Sequence, residues 1–158
     1  MTGIDTTTTA PAAQHRGRDD LPFVDLRDGS SLQLLQVDLA HNVWIGRQRF
    51  RPGTRLLRHR HTGPVTVATI SGRWRYLEYP DVNTAGSFLF EPAGSVHTFD
   101  VPADNDEITE VLFTINGANL NLDDNSSVVS VFDAHSVRRY YLRECRRLGI
   151  RNPNLIVT

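Results

Sequence analysis

From Leu21 onward the chain is written in short apolar runs punctuated by Gly, Pro, Asn and Asp: LQLLQVDL, NVWIGRQRF, TRLLRHRH, VTVATI, RWRYLEY, SFLFEP, VHTFDV, EITEVLFTI and SVVSVF. Short runs at close spacing, rich in β-branched and aromatic residues, predict an all-β sandwich or barrel. Gly53, Gly72, Gly86 and Gly94 fall between runs, where chain reversals need a permissive backbone. Pro92 and Pro102 stand at run ends, as expected of a residue with no N–H to give a central ladder.

The two ends differ from this pattern. Residues 1–20 are rich in Thr, Ala and charge and lack periodicity, so they predict a disordered arm that cannot bury enough apolar surface to offset its ordering entropy. Residues 21–133 are expected to form the barrel, and 134–158 a helix and tail packing on it. Asp133 is the expected helix cap, and arginines followed by Gly149 mark its stop. Val137, Tyr141, Cys145 and Leu148 recur at helical spacing as one apolar stripe. Arg138, Arg139, Arg143, Arg146 and Arg147 read as a solvated face favoured by the helix dipole.

Composition excludes several function classes. The net charge is −1 over 158 residues, so nothing marks the chain as a binder of nucleic acid or of an anionic membrane. It has no lysine, which removes Schiff-base and lysine-nucleophile chemistry. Cys145 is the only cysteine, so no internal disulfide can form; its apolar helical neighbours suit a buried inert thiol. The start lacks an apolar run of signal-peptide length, and no segment approaches a membrane span. A cytoplasmic protein is expected.

Chemistry concentrates in RHRHTGPV, Arg58 to Val65. On a strand His59 and His61 share a face, with Arg58 and Arg60 on the other, so both imidazoles are expected inside the barrel. Two histidines are weak evidence for a metal. A third comes from His97, just after a Pro-Ala-Gly corner. His15, His41 and His135 have no spaced partner and are read as non-ligands.

These residues resemble the cupins. The first cupin motif, G, five residues, HxH, three or four residues, E, six residues, G, is matched by Gly53, His59, His61 and Gly72, with Val65 in place of the glutamate. The second, G, five residues, PxG, two residues, H, is matched in full by Gly86, Pro92, Gly94 and His97. Within the superfamily, HRHTGPV, GRWRYLEY, AGSF, EPAG and VHT are most similar to the 2,4'-dihydroxyacetophenone dioxygenase-like cupins, roughly from Val43 to Val101. The resemblance implies a single-domain double-stranded β-helix of jelly-roll type with a C-terminal α-helix, assembled as a homodimer or higher oligomer. It further implies three metal histidines without a ligand glutamate, and a non-haem iron. The chain departs from that group at Thr62, Ser95 and Asp81, where the group carries proline, glutamate and a nearby tryptophan; these positions are expected to border the pocket mouth.

Three neutral imidazoles leave the full charge of Fe(II) uncancelled, so such a site favours an anionic chelator such as the enolate of a hydroxyketone, β-diketone or aromatic ketone. Electron transfer from bound substrate to dioxygen then permits carbon–carbon cleavage. Zinc, nickel or manganese would fit the same nitrogens, because imidazole suits many metals. Glu91, inward by parity with Leu89, is the candidate catalytic base or a partner of the metal's ligands. Arg55, Val65, Val67, Thr69, Trp74, Tyr76, Glu78 and Phe99 are the expected substrate pocket. An isomerase, cyclase or hydrolase using the metal as Lewis acid, or a non-catalytic sensor, would carry the same ligands.

Overall fold

The computed structural model describes residues 11–158. In chain order these form β1 (Val24–Asp25), β2 (Ser30–Asp38), β3 (Val43–Phe50), β4 (His59–His61), β5 (Val65–Ser71), β6 (Arg73–Tyr76) and β7 (Val82–Thr84). There follow β8 (Phe88–Glu91), β9 (Val96–His97), β10 (Phe99–Asp100), β11 (Thr109–Asn116), β12 (Asn119–Leu122), β13 (Val128–Phe132), α1 (Ala134–Arg147) and β14 (Ile156–Val157). The long strands build one sheet in the order β1-β2-β3-β11-β5-β8, to which β14 adds parallel to β2. A second sheet runs β13-β12-β4-β9 and a third β10-β6-β7. The order of elements is that of a jelly-roll barrel, all-β apart from the terminal helix.

Alternation sets the core. On β5, Val65, Val67 and Thr69 are buried while Ile70 is exposed, as a period of two requires of a sheet with one wet face. Leu32, Leu34, Trp44, Phe50 and Phe113 of the large sheet pack with Trp74, Tyr76 and Phe99 of the third. Each such side chain removed from water contributes roughly 1.5–3 kcal/mol. Gly72 turns β5 into β6 at φ +71°, and a Cβ there would lie 2.7 Å from the Cα of Thr109. Only glycine satisfies both conditions.

The ends revise two expectations. Residues 1–10 of the expected arm lie outside the described residues. Residues 11–20 form neither helix nor strand, yet they are tied down rather than free: Arg18 donates to both oxygens of Glu110, at 3.1 and 2.8 Å, and Gln33 donates to the carbonyls of Arg18 and Leu21. The composition argument weighed apolar burial and overlooked this charge pairing. In α1, Asp133 accepts from Ser136 N at 2.7 Å while Ser136 Oγ accepts from Asp133 N at 2.8 Å, a reciprocal cap. Val137, Tyr141 and Cys145 are buried as the stripe predicts, but Leu148 caps the C-terminus and is 58% exposed, because the helix ends one residue before it. Buried Glu144 pairs with Arg143 and Arg147, which otherwise face solvent.

Candidate metal centre and pocket

Antiparallel pairing of β4 with β9 sets His59 opposite His97, and His61 follows His59 on the same face. All three are buried, their candidate ligand atoms within 4.8 Å of one another, and Arg60 between the pair is exposed. Ring centroids stand 4.9 Å apart for His59 and His61, 4.8 Å for His59 and His97, and 5.3 Å for His61 and His97. His59 Nδ1 lies 3.0 Å from the Leu57 carbonyl, which places its proton there and leaves Nε2 with a free lone pair. Burial, reinforced by repulsion from His61, pulls its pKa down to about 4, so the ring is neutral near pH 7.

Among the described residues, neither nitrogen of His97 and not Nδ1 of His61 has a hydrogen-bond partner. Buried polar atoms left in that state are costly and uncommon. A divalent ion shared by the three rings would satisfy the inward nitrogens, and imidazole is a common ligand for such ions. The triad therefore fits a metal.

Beside it lies Glu91 at the end of β8, brought inward as the cross-strand neighbour of Val65. Its Oε1 accepts the Tyr76 hydroxyl at 2.5 Å, and its Oε2 is 3.0 Å from His61 Nε2 and 3.2 Å from His97 Nε2. Burial opposes its charge, but the close imidazoles of His61 and His97 outweigh that and hold the carboxyl well below the usual carboxylate range. Burial, and then Glu91, push the Tyr76 phenol far up, so it stays a neutral donor. Tyr76 also stacks on His97, with centroids 3.7 Å apart.

The group opens on a cavity of about 680 Å³ walled mostly by apolar side chains, among them Trp44, Phe50, Val67 and Phe113. Of the expected pocket, Arg55, Val65, Val67, Tyr76 and Phe99 line it. Arg55 does so while bound to Asp100 at 2.8 Å. Three expected pocket residues do not line it. Trp74 is wholly buried, donating to Thr69 Oγ1 at 2.9 Å and stacked on Phe99 at 4.4 Å, so Trp74 and Thr69 satisfy each other beneath the wall. Glu78 lies past the end of β6, exposed, accepting from Thr98 N and Oγ1 at 2.8 Å each.

The sequence reading missed Asn119 and Asn121, which line the cavity from β12, opposite His61 and His59 respectively. Their signal is NLNL, whose alternation places the polar residues on the histidine side.

Residues 13–119 match the family model described as the ChrR cupin-like domain. The chain belongs to this cupin family. The ChrR-like cupin is similar to a protein of unknown function with a cupin-like fold from Ralstonia eutropha JMP134, at 32% identity and TM-score 0.79, covering 92% of this chain and 96% of that one. It also matches an RmlC-like cupin protein from the same organism, at 26% identity and TM-score 0.87, covering 93% and 95%. An acetylacetone dioxygenase from Acinetobacter johnsonii shares the fold at 19% identity and TM-score 0.72, covering 91% and 99%. No curated protein matches the chain.

Proposed function

We propose that this cupin is a non-haem iron(II) dioxygenase that cleaves a carbon–carbon bond of a small hydroxyketone, β-diketone or aromatic ketone, one oxygen atom ending on each fragment. The observation that carries the reading is the buried triad of His59, His61 and His97 with the carboxylate of Glu91 beside it in a largely apolar cavity. The fold shared with an acetylacetone dioxygenase supports it.

His59, His61 and His97 would hold the iron, which when bound supplies Lewis-acid polarisation of the substrate oxygens and a meeting place for dioxygen. Glu91 Oε2 takes the acidic proton of the ketone, breaking its C–H or O–H bond and leaving the electron pair on the enolate. Tyr76 donates to Oε1 and keeps the carboxylate aimed at the triad. The aromatic and aliphatic walls exclude water and strengthen every charge interaction inside. The protein works in the cytoplasm, in keeping with a lone buried cysteine, and as a homodimer that covers Phe88 and Phe90.

The test is oxygen uptake by protein stripped of metal and reloaded anaerobically with Fe(II), against hydroxyacetophenones, β-diketones and catechols, with His97→Ala as control. Uptake confined to one ketone class and lost in the control is expected. Protein that holds iron and consumes no oxygen overturns the reading in favour of a Lewis-acid isomerase, cyclase or hydrolase, or of a sensor.

A further inference from the structure

We infer that the cavity takes an elongated ketone: its carbonyl lies at the histidine triad, flat apolar rings fill the middle, and a neutral hydroxyl at the far end donates to Gln48 Oε1. The inference rests on the function proposed above and narrows its substrate to aromatic ketones longer than a single ring.

The first observation is distance. Register aligns Trp44, Ile115, Val65 and Glu91 across β3, β11, β5 and β8, so these residues mark the level of the carboxylate beside the triad. Gln48 stands four residues further along β3 than Trp44 and shares its parity, hence its inner face. At about 3.3 Å per residue its level is roughly 13 Å away. Both levels line one cavity of about 680 Å³, a size that buries a drug-sized ligand and that the smallest diketones leave mostly unfilled. Phe113 and Val67, paired with each other, stand at the level between, and the stacked rings of Phe50 and Phe99, 4.3 Å apart, add flat faces to the wall.

The second observation is a polar atom in an apolar wall. Across the sheet Gln48 is flanked by Leu32 and Val111. A chain of hydrogen bonds fixes which end of its amide is spent: Ser30 Oγ donates to Asp28 Oδ1 at 2.6 Å and so accepts from Gln48 Nε2 at 2.9 Å. Oε1 is left without a hydrogen-bond partner among the described residues. A ligand that displaces water from this acceptor must bring a donor of its own, and an analogue lacking the donor is selected against.

The third observation is charge balance at the same end. Asp28 and Arg55 both line the cavity, and Thr54 Oγ1, donating to the Gly29 carbonyl at 3.2 Å, ties their two segments together. Arg55 is already paired with Asp100 at 2.8 Å. A carboxylate at this end faces Asp28 and an ammonium faces Arg55, each a repulsion that a hydroxyl avoids.

The experiment is anaerobic titration calorimetry of the full chain with 4'-hydroxyacetophenone, 4-acetylbiphenyl and 4-acetyl-4'-hydroxybiphenyl, ketones without an α-oxygen that report binding apart from turnover. The hydroxybiphenyl should bind at least about tenfold more tightly than the single-ring ketone, because the second ring buries further apolar area. It should bind about three- to tenfold more tightly than 4-acetylbiphenyl, the contribution of one neutral hydrogen bond. In Gln48→Leu, and in Gln48→Met, which keeps the length of the side chain, the two biphenyls should bind within about twofold of each other. Equal binding of the single-ring ketone and the hydroxybiphenyl overturns the inference, as does no binding of either biphenyl or a hydroxyl preference that survives both substitutions. Biphenyl binding that follows the expected pattern, in iron-loaded protein that consumes no oxygen with any ketone class, removes the dioxygenase reading and leaves the ligand assignment standing.

Discussion

At the scale of single residues, the site holds buried polar atoms that have no partner among the described residues. His97 is the extreme case, wholly buried with both nitrogens unpartnered among the described residues. Each such atom costs about 1–3 kcal/mol, which a bound ion would return. Two consequences follow from that sign. In chelator, His97→Leu should melt a few degrees above wild type, at roughly 2–4 °C per kcal/mol in a chain of this size; added metal should raise the melting of wild type alone. Calorimetry decides it, and a variant less stable than wild type in chelator would mean that the His97 nitrogens are already satisfied. Tyr76 acts one step further out. Tyr76→Phe keeps the ring on His97 but removes the hydrogen bond to Glu91, worth about 1.5–3 kcal/mol to a charged partner. Turnover should fall roughly ten- to a hundredfold with metal content unchanged, read by oxygen uptake beside metal analysis.

At the scale of elements, the strands legible in the sequence were those whose alternation could be assigned an inside. HRH, VTVATI and SFLFE each show one buried face, so His59, His61, Val65, Val67 and Glu91 could be read from parity, whereas His97 came from the spacing of the second motif. Parity gives the face and not the depth: Trp74 and Tyr76 share a face, yet Tyr76 reaches the cavity while Trp74 fills the layer below. TRLLRHRH read as one strand, but Arg55 makes only an isolated bridge to Asp100 and the strand begins at His59. VHTFDV divides between two sheets at Thr98, which a linear pattern does not disclose. NLNL escaped because its polar residues face in, and the segment around Arg18 escaped because its anchor is an ion pair. That anchor is testable. Glu110 accepts from Arg18 and from Arg49, whose Nε is 2.8 Å away, and although burial raises its pKa the two guanidiniums bring it below its ordinary value. The folded value thus lies under the unfolded one, near 4.5, so the stability Glu110 adds is complete above that pH and is lost as pH falls through the folded value. Glu110→Gln should be less stable than wild type at pH 7 by about 1–3 kcal/mol, the gap closing below about pH 4. Urea midpoints at several pH values measure it; a gap independent of pH would remove the ion pair as its cause.

At the scale of the whole molecule, the cavity points inward and the largest exposed apolar residues point outward from the opposite face of the same sheet. Phe88 and Phe90 on β8 are 70% and 60% exposed, and the register carries the row from Phe88 through Ala68 to Leu112 on β11. Ile70, beside Ala68, is 41% exposed. Monomers rarely leave contiguous patches of more than a few hundred Å² uncovered, and β8 is in addition an edge strand with an unpaired ladder. The homodimer proposed above would meet both needs through a two-fold axis, since one patch would then cover its own equivalent. On this basis Phe90→Asp should place two buried like charges near the axis and shift sedimentation equilibrium at micromolar concentration from dimer to monomer. Metal content should stay at the wild-type level, because Phe90 faces away from the triad while its neighbour Glu91 faces in. A wild type that sediments as a monomer at tens of micromolar would sink the dimer. A Phe90→Asp variant that stays dimeric would move the interface to another exposed face, such as that of β13 with Val129 and Val131.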